Sequence, residues 1–205
     1  MLVSSLILLA AGIRGDSGIL GPLLTWGGSA AQFALAMVLV WVAAHESTPA
    51  GRLPKGTVYS AAVAALLVVV AITLSTFSIS PAGSTLRVAG GLRVPPRIGE
   101  ILRVSPWIMD LACGFGSTIA GGILVLLFSW MFRNSLAVRP TLAGALYGAG
   151  AGVAINAGWR IACPVSTLSH ALGAHGTAII ATVLLGALIG RSLGNRRLHI
   201  GGKRS

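Results

Sequence analysis

Acidic residues are nearly missing from this chain, with 4 Asp+Glu in 205 residues against 15 Lys+Arg. Charged residues together make up 9% of the sequence, where a soluble domain carries about 25%. With 55% hydrophobic residues and a mean hydropathy of +0.87, too few polar side chains exist to coat a water-soluble globule. Cysteine is also scarce, and two in the whole chain exclude a secreted disulfide scaffold. The apolar content excludes disorder. No CxxC pair, phosphate-binding loop, GxSxG elbow or HExxH helix occurs, so no soluble-type active site is visible and an enzyme is not expected. What remains is an all-α, polytopic transmembrane helical bundle, a single integral membrane domain over residues 1–205.

The net charge of +11 and pI near 11.7 would suggest nucleic acid in a soluble protein. Here the basic residues fall between apolar runs and in the tail 191–205, where charge sets orientation in a bilayer. The expected partner of this surface is lipid, with no direct nucleic-acid contact.

A spanning helix needs about 20 apolar residues to cross about 30 Å of hydrocarbon. Five runs meet this length: residues 22–44, 57–80, 107–132, 141–159 and 171–190. The opening run 2–13 holds only 12 residues. It is expected to be part of a span beginning upstream, or a short tilted helix, giving six spans as the preferred count. Gly144, Gly148 and Gly152 lie four apart on one helix face, a doubled GxxxG. Lipid supplies no hydrophobic drive for helix association, so such small residues serve close backbone packing, within the bundle or across a homodimer seam.

Lys and Arg near the span ends predict the orientation. With six spans, nine of the basic residues, including all five of the tail, lie on one side and six on the other. The C-terminus is therefore expected to be cytoplasmic. The connection 81–106 dissents with four Arg, and its Pro95-Pro96 followed by Ile98, Ile101 and Leu102 suggests an interfacial helix.

Polar groups within spans are default functional candidates. Asp110 sits near the start of its span and is expected to be an interfacial carboxylate favoured by the helix dipole. Asn156 reads as an interhelical hydrogen bonder. Cys113 opens the 107–132 span, and Cys163 precedes the last one. Two crossings separate them, so both lie at one membrane face, as do Asp110, His170 and His175. The residues alone leave three readings open: inert buried thiols, a redox pair, or a transient soft-metal site with Cys113 and Cys163 as ligands. His170 and His175 are possible auxiliaries. Five residues apart, they sit about 140° around an α-helix and are not expected to share a face.

The C-terminal half carries a recognisable order of features. It runs Arg139-Pro140-Thr141-Leu142-Ala143-Gly144-Ala145-Leu146-Tyr147-Gly148, then the Gly/Ala helix, Ala162-Cys163-Pro164, and a last helix ending Gly186-Ala187-Leu188-Ile189-Gly190-Arg191. Upstream stand Gly12-Ile13-Arg14-Gly15-Asp16 and Glu46-Ser47-Thr48-Pro49-Ala50-Gly51. Over roughly residues 12–191 this resembles the NrsF family of six-helix inner-membrane anti-sigma factors. The resemblance implies a bacterial inner-membrane protein that holds an extracytoplasmic-function sigma factor. It implies release under heavy-metal or oxidative stress, sensed through two cysteines at the positions of Cys113 and Cys163. No resident cofactor is expected, only transient soft-metal binding. The alternative from the residues alone is a small transporter or permease, which would need polar groups near the midplane.

Overall fold

The computed structural model describes residues 26–46, 63, 106–131, 139–163 and 168–201. Every described secondary-structure element is helical: α1 (Gly28–Glu46), α2 (Pro106–Met131), α3 (Pro140–Ala162) and α4 (Thr177–Gly201). A single turn, Leu168–His170, and a π-helical segment, Ala171–Gly176, lead into α4. The fold is all-α.

Among the described residues three stretches are long and apolar enough to cross a membrane, not six: Gly28–His45, Asp110–Met131 and Ala171–Gly194. The expected run 2–13, the run 57–80 apart from Val63, and the connection 81–106 up to Pro106 lie outside the described residues. The expected run 141–159 does form a helix, but α3 is not one of the three. The reason is its position. It packs against α1, α2 and α4 together, and Ala143, Tyr147, Ala151, Ile155 and Ala157 on it are buried. A helix surrounded by helices needs small, complementary side chains more than strongly apolar ones. Lipid-compatible bulk sits instead on the outer helices, where Trp41, Phe115, Ile123, Trp130, Ile180 and Leu188 are exposed.

Pro140 begins α3 at the position where a missing N–H costs nothing, because first-turn amides have no intrahelical acceptor. Its glycines then set the packing. A methyl group on Gly144 would lie 2.1 Å from the Gly186 carbonyl oxygen, and one on Gly148 would lie 2.1 Å from that of Thr182. Gly152 meets Ile179 and Thr182 in the same way. The GxxxG period is therefore used inside the bundle, as the seam between α3 and α4.

Contacts also fix the directions. Gly144, Gly148 and Gly152 meet Gly190, Thr182 and Ile179 in reverse order, so α3 and α4 form an antiparallel pair. Gly150 packs on Ala36 and Val40, while Asn156 donates to Gln32 Oε1 at 3.1 Å, so α1 also runs against α3. Cys113 meets Cys163, and Phe128 meets Tyr147, so α2 does the same. Three parallel helices thus surround one antiparallel helix. The ends of α1 and α2 near Glu46 and Met131 lie with the start of α3. The end of α3 at Cys163 lies with the starts of the other three.

Candidate thiol–imidazole centre

Cys163 owes its place to the residue after it. A proline disfavours helical backbone in its predecessor, and Cys163, followed by Pro164, is extended at φ −71°, ψ 122°. Its N–H still bonds the Trp159 carbonyl at 2.6 Å, so α3 ends there in one step. The side chain is thereby aimed at the first turns of α2. Cys113 approaches from that side, and the two sulfurs lie 3.9 Å apart. A methyl group on neighbouring Gly114 would meet the backbone of Ala174 at ordinary van der Waals distance, so α2 packs here against the π-helical segment.

The histidines arrive by a different device. In a π-helix the i→i+5 hydrogen bond stacks residues five apart, where an α-helix would set them on different faces. The segment Ala171–Gly176 is π-helical, and it brings His170 and His175 to one side with ring centroids 5.1 Å apart. The expectation that they do not share a face is corrected here. It assumed an unbroken α-helix, and one widened turn removes the offset. Thr177 supports the return to α geometry, its hydroxyl donating back to the Ala174 carbonyl at 3.2 Å.

Four ligand-type atoms therefore converge: those of Cys113, Cys163, His170 and His175 all lie within 4.8 Å of one another, and all four residues are buried. His170 Nε2 lies 3.2 Å from Cys163 Sγ, while its Nδ1 bonds an Asp110 carboxylate oxygen. Asp110 is not solely an interfacial acid, then. Its side chain is 46% exposed, so it joins the buried cluster to the surface of the bundle. Ala174 and Trp159 close the apolar wall around the sulfurs. His175 Nδ1 is buried without a hydrogen-bond partner in the protein.

The electrostatics follow from this geometry. A hydrogen bond from Cys113 outweighs the burial that would raise the Cys163 thiol, and bonds from His170 and His175 add to it. Cys163 is held well below the usual thiol range. Burial alone would lower His170, but the bond and charge of Cys163, then those of Asp110, raise it above its ordinary value. Cys163 Sγ thus contacts both Cys113 Sγ and His170 Nε2, and His170 Nδ1 bonds Asp110, so the four groups form one hydrogen-bonded chain.

Sequence reasoning placed Cys113, Cys163, Asp110, His170 and His175 at one face, and the structure puts all five in one connected cluster. Trp159 was not anticipated; its packing on the cluster depends on where α3 stops. Gly144, Gly148 and Gly152 lie along the seam, away from this centre. No family model, curated protein or solved structure matches this chain.

Proposed function

We propose that this protein is a membrane-embedded regulatory sensor: an anti-sigma factor that sequesters an extracytoplasmic-function sigma factor and releases it when Cys113 and Cys163 react. The observation that carries the reading is the contact between these two sulfurs, supplied by different helices at one end of the bundle. A pair bridging α2 and the α3–α4 turn can bias helix packing, because any agent that binds or links them prefers the arrangement in which they meet. Coupling of about 1–3 kcal/mol, a 5–150-fold change in partner affinity, is typical of such devices.

The full reading has six spans in a bacterial inner membrane, with a cytoplasmic C-terminus. Its support is the basic tail and the parallel course of α1 and α2, which both end beside the start of α3. The sequence between them contains the 24-residue apolar run 57–80, long enough for the return crossing. The thiol centre then faces outward, and the sigma factor docks on the opposite, basic side. The anti-sigma assignment itself rests on the resemblance to the NrsF family. A small permease is a weaker reading, because the imidazoles and carboxylate described above gather at one end rather than at the midplane.

The test is a sigma-dependent reporter under cadmium, chromate or peroxide, with Cys113→Ser and Cys163→Ser. Each substitution is expected to abolish induction while the protein stays in the membrane. Induction unchanged in both variants would remove the mechanism.

A further inference from the structure

We infer that Cys113, Cys163, His170 and His175 form a four-ligand site for one thiophilic divalent cation of the zinc and cadmium type, with Asp110 orienting His170 from outside the ligand set. The inference depends on the sensor reading only for its physiological meaning; the binding itself stands on geometry.

The distances fit. Zinc–sulfur bonds of about 2.3 Å at tetrahedral angles place two sulfurs about 3.8 Å apart, and the Cys113 and Cys163 sulfurs lie 3.9 Å apart. The same geometry with a zinc–nitrogen bond of about 2.0 Å places sulfur and nitrogen about 3.5 Å apart, against 3.2 Å between Cys163 Sγ and His170 Nε2. All four donor atoms lie within 4.8 Å of one another, so a central ion needs only small side-chain adjustments to reach them.

The surroundings fit as well. A metal-bound imidazole almost always donates its other N–H to a carboxylate or carbonyl, which fixes ring orientation and tautomer. His170 already has this arrangement, with Nε2 toward the sulfur and Nδ1 on Asp110. His175 packs edge-on against His170 with ring centroids 5.1 Å apart, and its buried Nδ1 has no hydrogen-bond partner in the protein, so that nitrogen is not committed to another group.

Charge selects the ion. Two thiolates and two neutral imidazoles around a divalent cation sum to zero, whereas a monovalent copper ion would leave one uncompensated negative charge in a buried site beside the Asp110 carboxylate. Binding forms two metal–sulfur and two metal–nitrogen bonds. The ion displaces the two protons that this cysteine–histidine cluster carries beyond two thiolates and two neutral imidazoles, and they pass to water. No electron moves, so no oxidant is needed. The half-exposed Asp110 side chain lies at the surface over His170 and gives an incoming cation its first contact.

The experiment titrates the reduced, full-length chain in detergent micelles with cobalt(II) as optical probe, and with cadmium in competition. The expected result is one cobalt per chain, with tetrahedral d–d bands and sulfur-to-metal charge transfer, both erased by stoichiometric cadmium. Cys113→Ser and His175→Ala should each lose the tetrahedral spectrum. Asp110→Asn should keep it with affinity lowered about 10–100-fold. A second measurement needs no variant: cadmium should protect both cysteines of the wild type from alkylation. Octahedral bands, His175→Ala and His170→Ala variants that bind as tightly as wild type, or unprotected cysteines would each overturn the site. Loss of the sensor reading looks different, as tight tetrahedral binding combined with unchanged reporter induction in the cysteine variants. The converse, no metal binding but cysteine-dependent induction, would overturn the metal site and leave a redox sensor.

Discussion

Along residues 140–152 the α3–α4 pair is held by backbone against backbone; beyond Ile161 the end of α3 and the segment leading into α4 meet α2 through sulfur, imidazole and carboxylate. The two regions obey opposite rules. In the glycine seam the contacts are short-ranged and made by uncharged groups, and each missing side chain is what lets Gly144 and Gly148 meet the backbone at Gly186 and Thr182. At the other end, groups that are costly to bury are gathered and made to satisfy one another, with Asp110 reaching the surface. The seam has one favourable arrangement, since a gap of about 0.5–1 Å already forfeits a quarter to a half of each dispersion contact. The centre has several, because thiols and imidazoles can exchange protons, bind an ion or bond to each other. A rigid hairpin ending in a reactive tip is a lever: chemistry at Cys163 is transmitted along α3 because the seam does not yield.

The largest expected effect therefore comes from breaking the rigid part. Gly148→Ile places a branched side chain where even a single methyl would sit 2.1 Å from the Thr182 carbonyl oxygen. Overpacking of this kind costs about 1–3 kcal/mol and more where backbone must shift. The variant should lose its cooperative thermal transition in detergent, or melt far below wild type. Cobalt binding should weaken with it, since the turn holding His170 and His175 is no longer tied to α3. A variant of wild-type stability would mean that α3 and α4 are not in contact at this level. The cysteine and histidine substitutions of the metal titration make the opposite comparison. They should alter the tip while changing the melting temperature far less than Gly148→Ile does.

How much of this was readable beforehand follows the same division. The seam was legible because GxxxG is a period of the helix itself: residues four apart share a face whatever lies opposite. The placement of Cys113 and Cys163 at one end was legible because crossings alternate sides. The histidines were not. A spacing of five is meaningless under a period of 3.6 and becomes a shared face only once Ala171–Gly176 widens into a π-turn. Gly173 and Gly176 in that stretch were the available hint. The sequence around Asp110 speaks only for its own helix, and the bond to His170 depends on how α2 sits against the π-helical segment, which no local pattern encodes. Helix α3 was counted with the other apolar runs, although its small residues already indicated an interior position. The run 2–13, and 57–80 apart from Val63, lie outside the described residues.

A middle-sized effect is expected between these regions, at the polar pair joining α1 to α3. Asn156 donates to the fully buried Gln32 at 3.1 Å. Interhelical hydrogen bonds inside membranes average about 0.6 kcal/mol by double-mutant cycle, with a maximum near 1.7 kcal/mol. The cycle Asn156→Ala, Gln32→Ala should return a coupling in that range, measured by unfolding in mixed micelles. Cobalt affinity should be unchanged, because neither residue touches the thiol centre. A coupling near zero together with a shifted cobalt affinity would show that the pair acts on the tip instead of on helix association.

The smallest effect tests whether the tip is shaped by its glycines or by the groups around it. Gly173 lies in the π-turn between the two histidines, and a methyl group there would meet nothing within 4 Å. Steric reasoning therefore assigns Gly173→Ala no cost in the folded state. The unfolded chain loses freedom, which stabilises by about 0.4–1 kcal/mol when the native backbone accepts the new residue. If the π-turn is held by the ties of His170 to Cys163 and Asp110 and by the Thr177 hydroxyl, the variant should melt slightly higher and bind cobalt as wild type does. If the turn instead depends on glycine to widen, alanine will favour an ordinary α-helix, carry His175 off the shared face and lower cobalt affinity despite the higher melting point. Stability and affinity moving in opposite directions would place the origin of the site in the backbone of Ala171–Gly176 rather than in the side chains that converge there.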